Sequence, residues 1–141
     1  MTTTQGRPAR VAPGHLDRHA RRAFMLGNCL SLAIAVSDRT GWPILTLRGR
    51  DINESRHRFL AHAFVEHPEG WLVDINGANR RDVTAQWKFE TDLIPVGHDA
   101  ACAELRVDAD DFPQQHPELA VSFVDPVLAL MTQQLRRTTR P

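Results

Sequence analysis

The sequence predicts an α+β fold, in which a buried helix packs against an antiparallel sheet within one small domain. Residues 29–38 form a helix-length run with almost no polar face, which is typical of a central buried helix. Two short stretches of alternating apolar residues flank Pro68-Glu69-Gly70, which indicates a β-hairpin. A chain of 141 residues is long enough to enclose one such core.

The remaining elements follow from apolar spacing and breaker residues. We expect a first helix over 15–26 that Gly27 ends, the buried helix over 29–38, and a strand over 43–47. A polar loop over 48–58 leads into the hairpin, and a helical turn over 82–88 follows it. Further strands are predicted over 93–96 and 103–107, and a last helix over 125–137 with Pro126 in its first turn. Residues 14–137 then form the domain, between flexible segments 1–13 and 138–141.

Composition excludes several classes of function. Seventeen basic side chains balance seventeen acidic ones, so no net field draws the molecule to nucleic acid or to an anionic membrane. No stretch has the length of a membrane span, and the polar N-terminus lacks the apolar core of a secretory signal. Two cysteines do not make a disulfide framework, so we expect a cytoplasmic protein, or a delivered effector, with no metal and no cofactor.

The hairpin places an imidazole beside a carboxylate. If Pro68-Glu69-Gly70 is a three-residue loop, then Phe64 lies opposite Asp74, and His62 lies diagonally beside Asp74 on the same face. This register sends Ala63, Val65, Trp71, Val73 and Ile75 to the other face, where they form a core-facing set. A two-residue loop would separate His62 from Asp74. The apolar pattern favours the first register.

A thiol stands at the start of the buried helix. Asn28 is a favoured N-cap residue, which places Cys29 in the first turn. The unpaired N–H groups and the dipole at that end stabilise a thiolate, and they are suited to hold the oxyanion formed when a carbonyl is attacked. Cys29, His62 and Asp74 therefore have the residue types of a nucleophile, its base and the group that orients the base.

At these residues the chain resembles the transglutaminase-like and papain-like cysteine hydrolases. The matching residues are Gly27, Cys29, Gly41-Trp42-Pro43-Ile44, His62-Ala63-Phe64, and Trp71 before Asp74, within about residues 24–77. The resemblance implies a small domain of that fold and a thiol-dependent hydrolase or acyltransferase acting on an amide, peptide or glutamine side chain. It also implies a peptide or protein substrate, with Asn28, Trp42 and Phe64 as oxyanion and substrate-binding residues.

Departures from the family pattern leave the reaction type open. Leu30 follows the cysteine where many members carry an aromatic residue, and Trp71 precedes Asp74 by three positions instead of four. No glutamine stands just upstream of Cys29. Hydrolysis, deamidation and another acyl transfer all remain open.

Two alternatives accompany the enzyme hypothesis. Cys29 is also suited to be a small hydrophobic residue of a buried helix, in a catalytically silent member of the fold that binds a protein partner. A sealed Cys29 together with a large apolar surface patch would favour that binding module, and a pocket that exposes the Cys29 sulfur would favour the enzyme. Cys102 near His98 is a second nucleophile and base candidate, but nothing in the sequence orients that histidine, which favours a surface thiol.

Overall fold

A computed structural model describes residues 11–25, 28–50, 58–87, 89–111 and 117–139 of the chain. The helices are α1 (Arg18–Met25), α2 (Cys29–Thr40), α3 (His98–Asp111), α4 (Pro117–Val121) and α5 (Val124–Thr139), with a 3₁₀ helix at Arg81–Gln86. The strands are β1 (Ile44–Arg50), β2 (Arg58–Glu66), β3 (Leu72–Asp74), β4 (Gly77–Asn79) and β5 (Thr91–Val96). The α+β prediction is confirmed.

The five strands form one antiparallel sheet in the order β4-β3-β2-β1-β5. Alternation along the strands sorts the apolar side chains into two layers. Ala63, Val65, Val73 and Ile75 join α2 and the C-terminal helices in the larger cluster. Leu45, Leu47, Phe64 and Leu72 form a smaller cluster on the opposite face, where Trp87 packs just after the 3₁₀ helix.

Helix α2 is the central helix that the sequence predicts. Every residue from Cys29 to Val36 is buried, because the helix packs against the sheet on one side and against α3, α4 and α5 on others. It runs to Thr40, two residues beyond the predicted end, and stops where the Gly41 N–H donates to the Ser37 carbonyl, 2.7 Å away.

The hairpin has the predicted register. Val65 pairs with Val73 and Glu66 with Leu72, and the His67 N–H donates to the Trp71 carbonyl at 2.9 Å. The three-residue loop closes at Gly70, whose φ of 95° lies in the left-handed region that favours glycine. Phe64 and Asp74 lie just beyond the last paired residues.

The prediction of a strand over 103–107 is wrong, because these residues lie in helix α3. The segment is helical from His98, and it presents Ala101 and Leu105 to the larger cluster at a spacing of four residues. Its Glu104 carboxylate accepts two hydrogen bonds of 2.7 Å from the Arg48 guanidinium, which ties α3 to β1. Strand β1 therefore continues through Arg48 to Arg50, past the predicted end at residue 47.

Smaller corrections concern the ends of the chain. Helix α1 begins at Arg18 because the Asp17 carboxylate caps it, accepting the Ala20 N–H at 3.0 Å. Val11, within the segment predicted to be flexible, is buried in the core. The predicted break at Gly27 lies outside the described residues. Within those residues, no helix is long and apolar enough to cross a membrane.

Candidate functional site

His62 and Asp74 form a buried pair. The Nε2 atom of His62 lies 2.9 Å from Oδ2 of Asp74, and the two residues are 0% and 5% exposed. Strand β2 brings the histidine, and the last residue of β3 brings the aspartate. The sequence-based prediction that the two share one face within hydrogen-bonding distance is confirmed.

A β-bulge lies next to the histidine. Leu47 pairs with His62, but Arg48 pairs with Leu60, so Ala61 is an extra residue in β2. A bulge bends its strand and redirects nearby side chains, and such features recur next to active sites. No residue pattern in the sequence indicates this bulge.

Asp74 is held by its own turn. Its Oδ1 atom accepts a hydrogen bond from the Asn76 backbone N–H and another from Nδ2 of Asn79, both at 2.9 Å. The Asn79 amide also donates to the Leu72 carbonyl at 2.9 Å, which fixes Asn79 in place. One carboxylate oxygen is thus occupied by the turn, and the other faces the imidazole.

Aromatic rings surround the imidazole. Phe64 meets the His62 ring edge to face, with centroids 4.7 Å apart. Trp87 lies over the ring at 5.3 Å and only 30° from parallel. A ring in this position attracts a cation over its face, so Trp87 is suited to stabilise a protonated imidazole.

The electrostatics of the pair favour the protonated ring. Burial lowers the pKa of His62, but the Asp74 hydrogen bond and the Cys29 thiol outweigh burial and raise it to about 9. The imidazolium is stabilised because anionic or hydrogen-bonding neighbours replace the water that it has lost. His62 Nδ1 is buried and has no geometric hydrogen-bond partner in the described part of the chain.

Cys29 is the first residue of α2 and is 8% exposed. Its thiol is among the groups that raise the pKa of His62, so it lies close to the imidazole, although the geometry gives it no hydrogen bond to Nδ1. Because Asp74 occupies Nε2, Nδ1 is the ring nitrogen left to exchange a proton with the thiol. The structure thus brings together the three residues singled out in the sequence.

Asn28 departs from the expected capping role. It precedes α2 with φ −116° and ψ 12°, outside the extended region typical of an N-cap, and its side chain makes no cap hydrogen bond. The amide instead donates to the Ala23 carbonyl of α1 at 3.3 Å. It therefore links α1 to the start of α2.

Of the other two predicted binding residues, Trp42 lies away from the site and Phe64 lies within it. Trp42 follows the far end of α2, about 18 Å along the helix from Cys29. Its ring packs against His67, 4.9 Å away, beside the hairpin loop. Phe64 is fully buried, and it packs on the imidazole within the core of the site.

Cys102 has a more organised environment than the sequence suggests. Its sulfur lies 3.8 Å from Nε2 and 3.9 Å from Nδ1 of His98, one helical turn earlier in α3. Asp38 of α2 orients that histidine, since its Oδ1 atom lies 2.6 Å from His98 Nε2. Both His98 and Asp38 are about half exposed, so this second cysteine–histidine contact lies at the surface.

The sequence did not identify Asn79 or Trp87 as site residues. Asn79 is the last residue of β4, where it pairs with Leu72, and a single asparagine at the end of a short strand carries no specific signal in the sequence. Trp87 follows the 3₁₀ helix and contacts His62 only in the folded chain. No group of three or more His, Cys, Asp or Glu side chains in the described ranges is arranged to hold a metal ion.

No protein-family model, no curated protein and no solved structure matches this chain.

Proposed function

We propose that this protein is a thiol-dependent hydrolase or acyltransferase in which Cys29 is the nucleophile, His62 its base and Asp74 the group that orients the base. The observation that most supports this proposal is the buried His62–Asp74 pair at 2.9 Å, which leaves Nδ1 of His62 without a hydrogen-bond partner among the described residues. The order and spacing of Cys29, His62 and Asp74 in the sequence, which resemble those of transglutaminase-like and papain-like hydrolases, support the same proposal.

The reaction would begin from a protonated His62, because its pKa of about 9 keeps a proton on the ring at neutral pH. The Cys29 thiolate forms beside this imidazolium and attacks the carbonyl carbon of an amide. The tetrahedral intermediate collapses as His62 gives its proton to the leaving amine, which breaks the C–N bond and leaves a thioester on Cys29. Water or a second amine then attacks the thioester, with His62 as base, and releases the product and the thiol.

The start of α2 would stabilise the oxyanion. The first N–H groups of an α-helix have no carbonyl partner within the helix, and they carry the positive end of its dipole. Cys29 is the first residue of α2, so its own N–H is one of these donors. Backbone donors of this kind are suited to a developing negative charge, because they are already oriented before reaction.

The substrate we propose is a peptide or protein amide, and the setting is a reducing compartment such as the cytosol. Both cysteines are free thiols, as nucleophilic catalysis by Cys29 requires.

One observation favours a second function, in which the protein is catalytically inactive and binds a protein partner. Cys29 is 8% exposed and His62 fully buried, so the trio is largely enclosed. In a binding module the same three residues would act as a buried polar cluster that stabilises the core.

Competitive alkylation separates the two functions. We expect iodoacetamide at pH 7, applied in limiting amount to the native protein, to modify Cys29 at least about tenfold faster than the more exposed Cys102, because a base-assisted thiolate is the reactive species. The rates are read from peptide masses after digestion. His62→Gln should remove the preference, and His98→Gln is the matched control at the other cysteine. If Cys102 reacts first in the native protein, and Cys29 only after unfolding, the enzyme proposal is wrong.

A further inference from the structure

Helix α5 makes a specific contact with the turn between β3 and β4. The side-chain amide of Gln134 accepts a hydrogen bond from the Ala78 N–H at 2.8 Å and donates one to the Asn76 carbonyl at 3.0 Å. Gln134 thus pairs with the turn backbone as a neighbouring peptide unit would. The two partners are 56 and 58 residues away in sequence, so the contact exists only in the folded chain.

Gly77 makes this approach possible. It lies between the two backbone groups that Gln134 binds, with φ 85° in the left-handed region. A Cβ atom at this position would collide with the Gln134 amide. Any other residue would therefore both strain the turn and displace the glutamine.

The same turn holds the carboxylate of the site. The Asn76 N–H and the Asn79 side chain are the two donors to Oδ1 of Asp74, and Asp74 is hydrogen-bonded to His62 through Oδ2. Asn76 therefore faces the aspartate with its N–H and Gln134 with its carbonyl. A displacement of this backbone would move one of the donors that set the direction of the carboxylate.

We propose that Gln134 is a positioning residue for the His62–Asp74 pair, acting from α5 through the backbone of residues 76–78. This role rests on the proposed function, in which the orientation of Asp74 sets the orientation of His62. It also gives the C-terminal helix a part in the site. Supporting groups of this kind hold reactive side chains to within fractions of an ångström, and small displacements reduce rates strongly.

Two substitutions of different severity test the role. Gln134→Met keeps the length of the side chain and removes both hydrogen bonds. Gln134→Glu keeps an acceptor for the Ala78 N–H and loses the donor to Asn76, so it should have the smaller effect. Gln133→Met is the matched control, since Gln133 is the exposed neighbour on the same helix.

The readout is the titration of the His62 imidazole by NMR, because a merely structural contact would lower stability without moving it. We expect Gln134→Met to lower the pKa of His62 by about half a unit or more, Gln134→Glu to lower it less, and Gln133→Met to leave it unchanged. The rate of Cys29 alkylation should fall severalfold in Gln134→Met, with Cys102 in the same molecule as the internal reference.

The outcomes distinguish this proposal from the enzyme proposal. If both Gln134 variants titrate like the parent protein while Asp74→Asn does not, the positioning role is wrong. If Cys29 shows no preferential alkylation in the parent protein but His62 still responds to Gln134, the enzyme proposal fails and the positioning contact stands.

Discussion

At the scale of single residues, His62 combines two properties that seldom occur together. It has no exposed surface, yet its pKa is raised to about 9 rather than lowered. Burial acts against the charged ring, so the Asp74 carboxylate and the Cys29 thiol must supply more than burial removes. A proton kept on an enclosed imidazole is available to a leaving group, which is the role that the proposed reaction gives it.

Asp74→Asn tests this balance. The substitution keeps the size of the side chain but removes its charge, so we expect the pKa of His62 to fall from about 9 toward 6.5 or below, with burial then opposed by the Cys29 thiol alone. NMR titration measures this directly, and the alkylation rate of Cys29 should drop with it.

The matched control is Asp38→Asn, which removes the carboxylate beside His98 at the surface. It should leave the titration of His62 unchanged. An unchanged His62 in Asp74→Asn would show that the carboxylate does not set its protonation.

At the scale of elements, the hairpin was predictable because local rules suffice. A three-residue loop ending in glycine fixes the register, and only one register buries Ala63, Val65 and Val73 together. The loop and the apolar pattern that bring His62 and Asp74 to one face therefore lie within about fifteen residues of the chain.

Gly70→Ala tests how far the loop holds this register. Alanine at φ 95° is strained, so we expect a loss of about 1 kcal/mol in the free energy of unfolding. Glu69→Ala is the control, because Glu69 is an exposed residue of the same loop and has no positive φ; its effect should stay within about 0.5 kcal/mol. Both values come from urea unfolding. Equal losses would mean that the loop conformation contributes nothing specific.

Other parts of the fold and site could not be predicted, because they depend on distant contacts. The segment 103–107 alternates like a strand, but its helix is selected by Ala101 and Leu105 packing on the core and by Glu104 binding Arg48. The missing cap at Asn28 likewise depends on Ala23 of α1 competing for its side chain. Neither partner is identifiable from local spacing.

At the scale of the whole molecule, the His62 pair makes stability depend on pH. Between pH 6.5 and about 9 the folded protein holds a proton on His62 that the unfolded chain has released. Stability from this group is therefore fully present below pH 6.5 and is lost as the pH rises through 9.

We expect the free energy of unfolding to fall by up to about 3 kcal/mol between pH 6 and pH 9.5. Urea unfolding at a series of pH values measures this slope, which should flatten in His62→Gln and persist in His15→Gln, a substitution at an exposed histidine. A parent protein whose stability is level or rises across this range would contradict the assignment of the proton to His62.

Strand β5 closes one end of the sheet with a proline. Pro95 lies opposite Leu45 in the antiparallel pairing, and it has no N–H to donate. Unpaired backbone N–H groups on an outer strand can bind a strand of another chain, which is the first step of many aggregation reactions. A proline on an outer strand removes one such donor. We therefore expect this proline to disfavour the addition of another chain at the β5 end of the sheet, which is the end opposite to β4 and to the Asp74 turn.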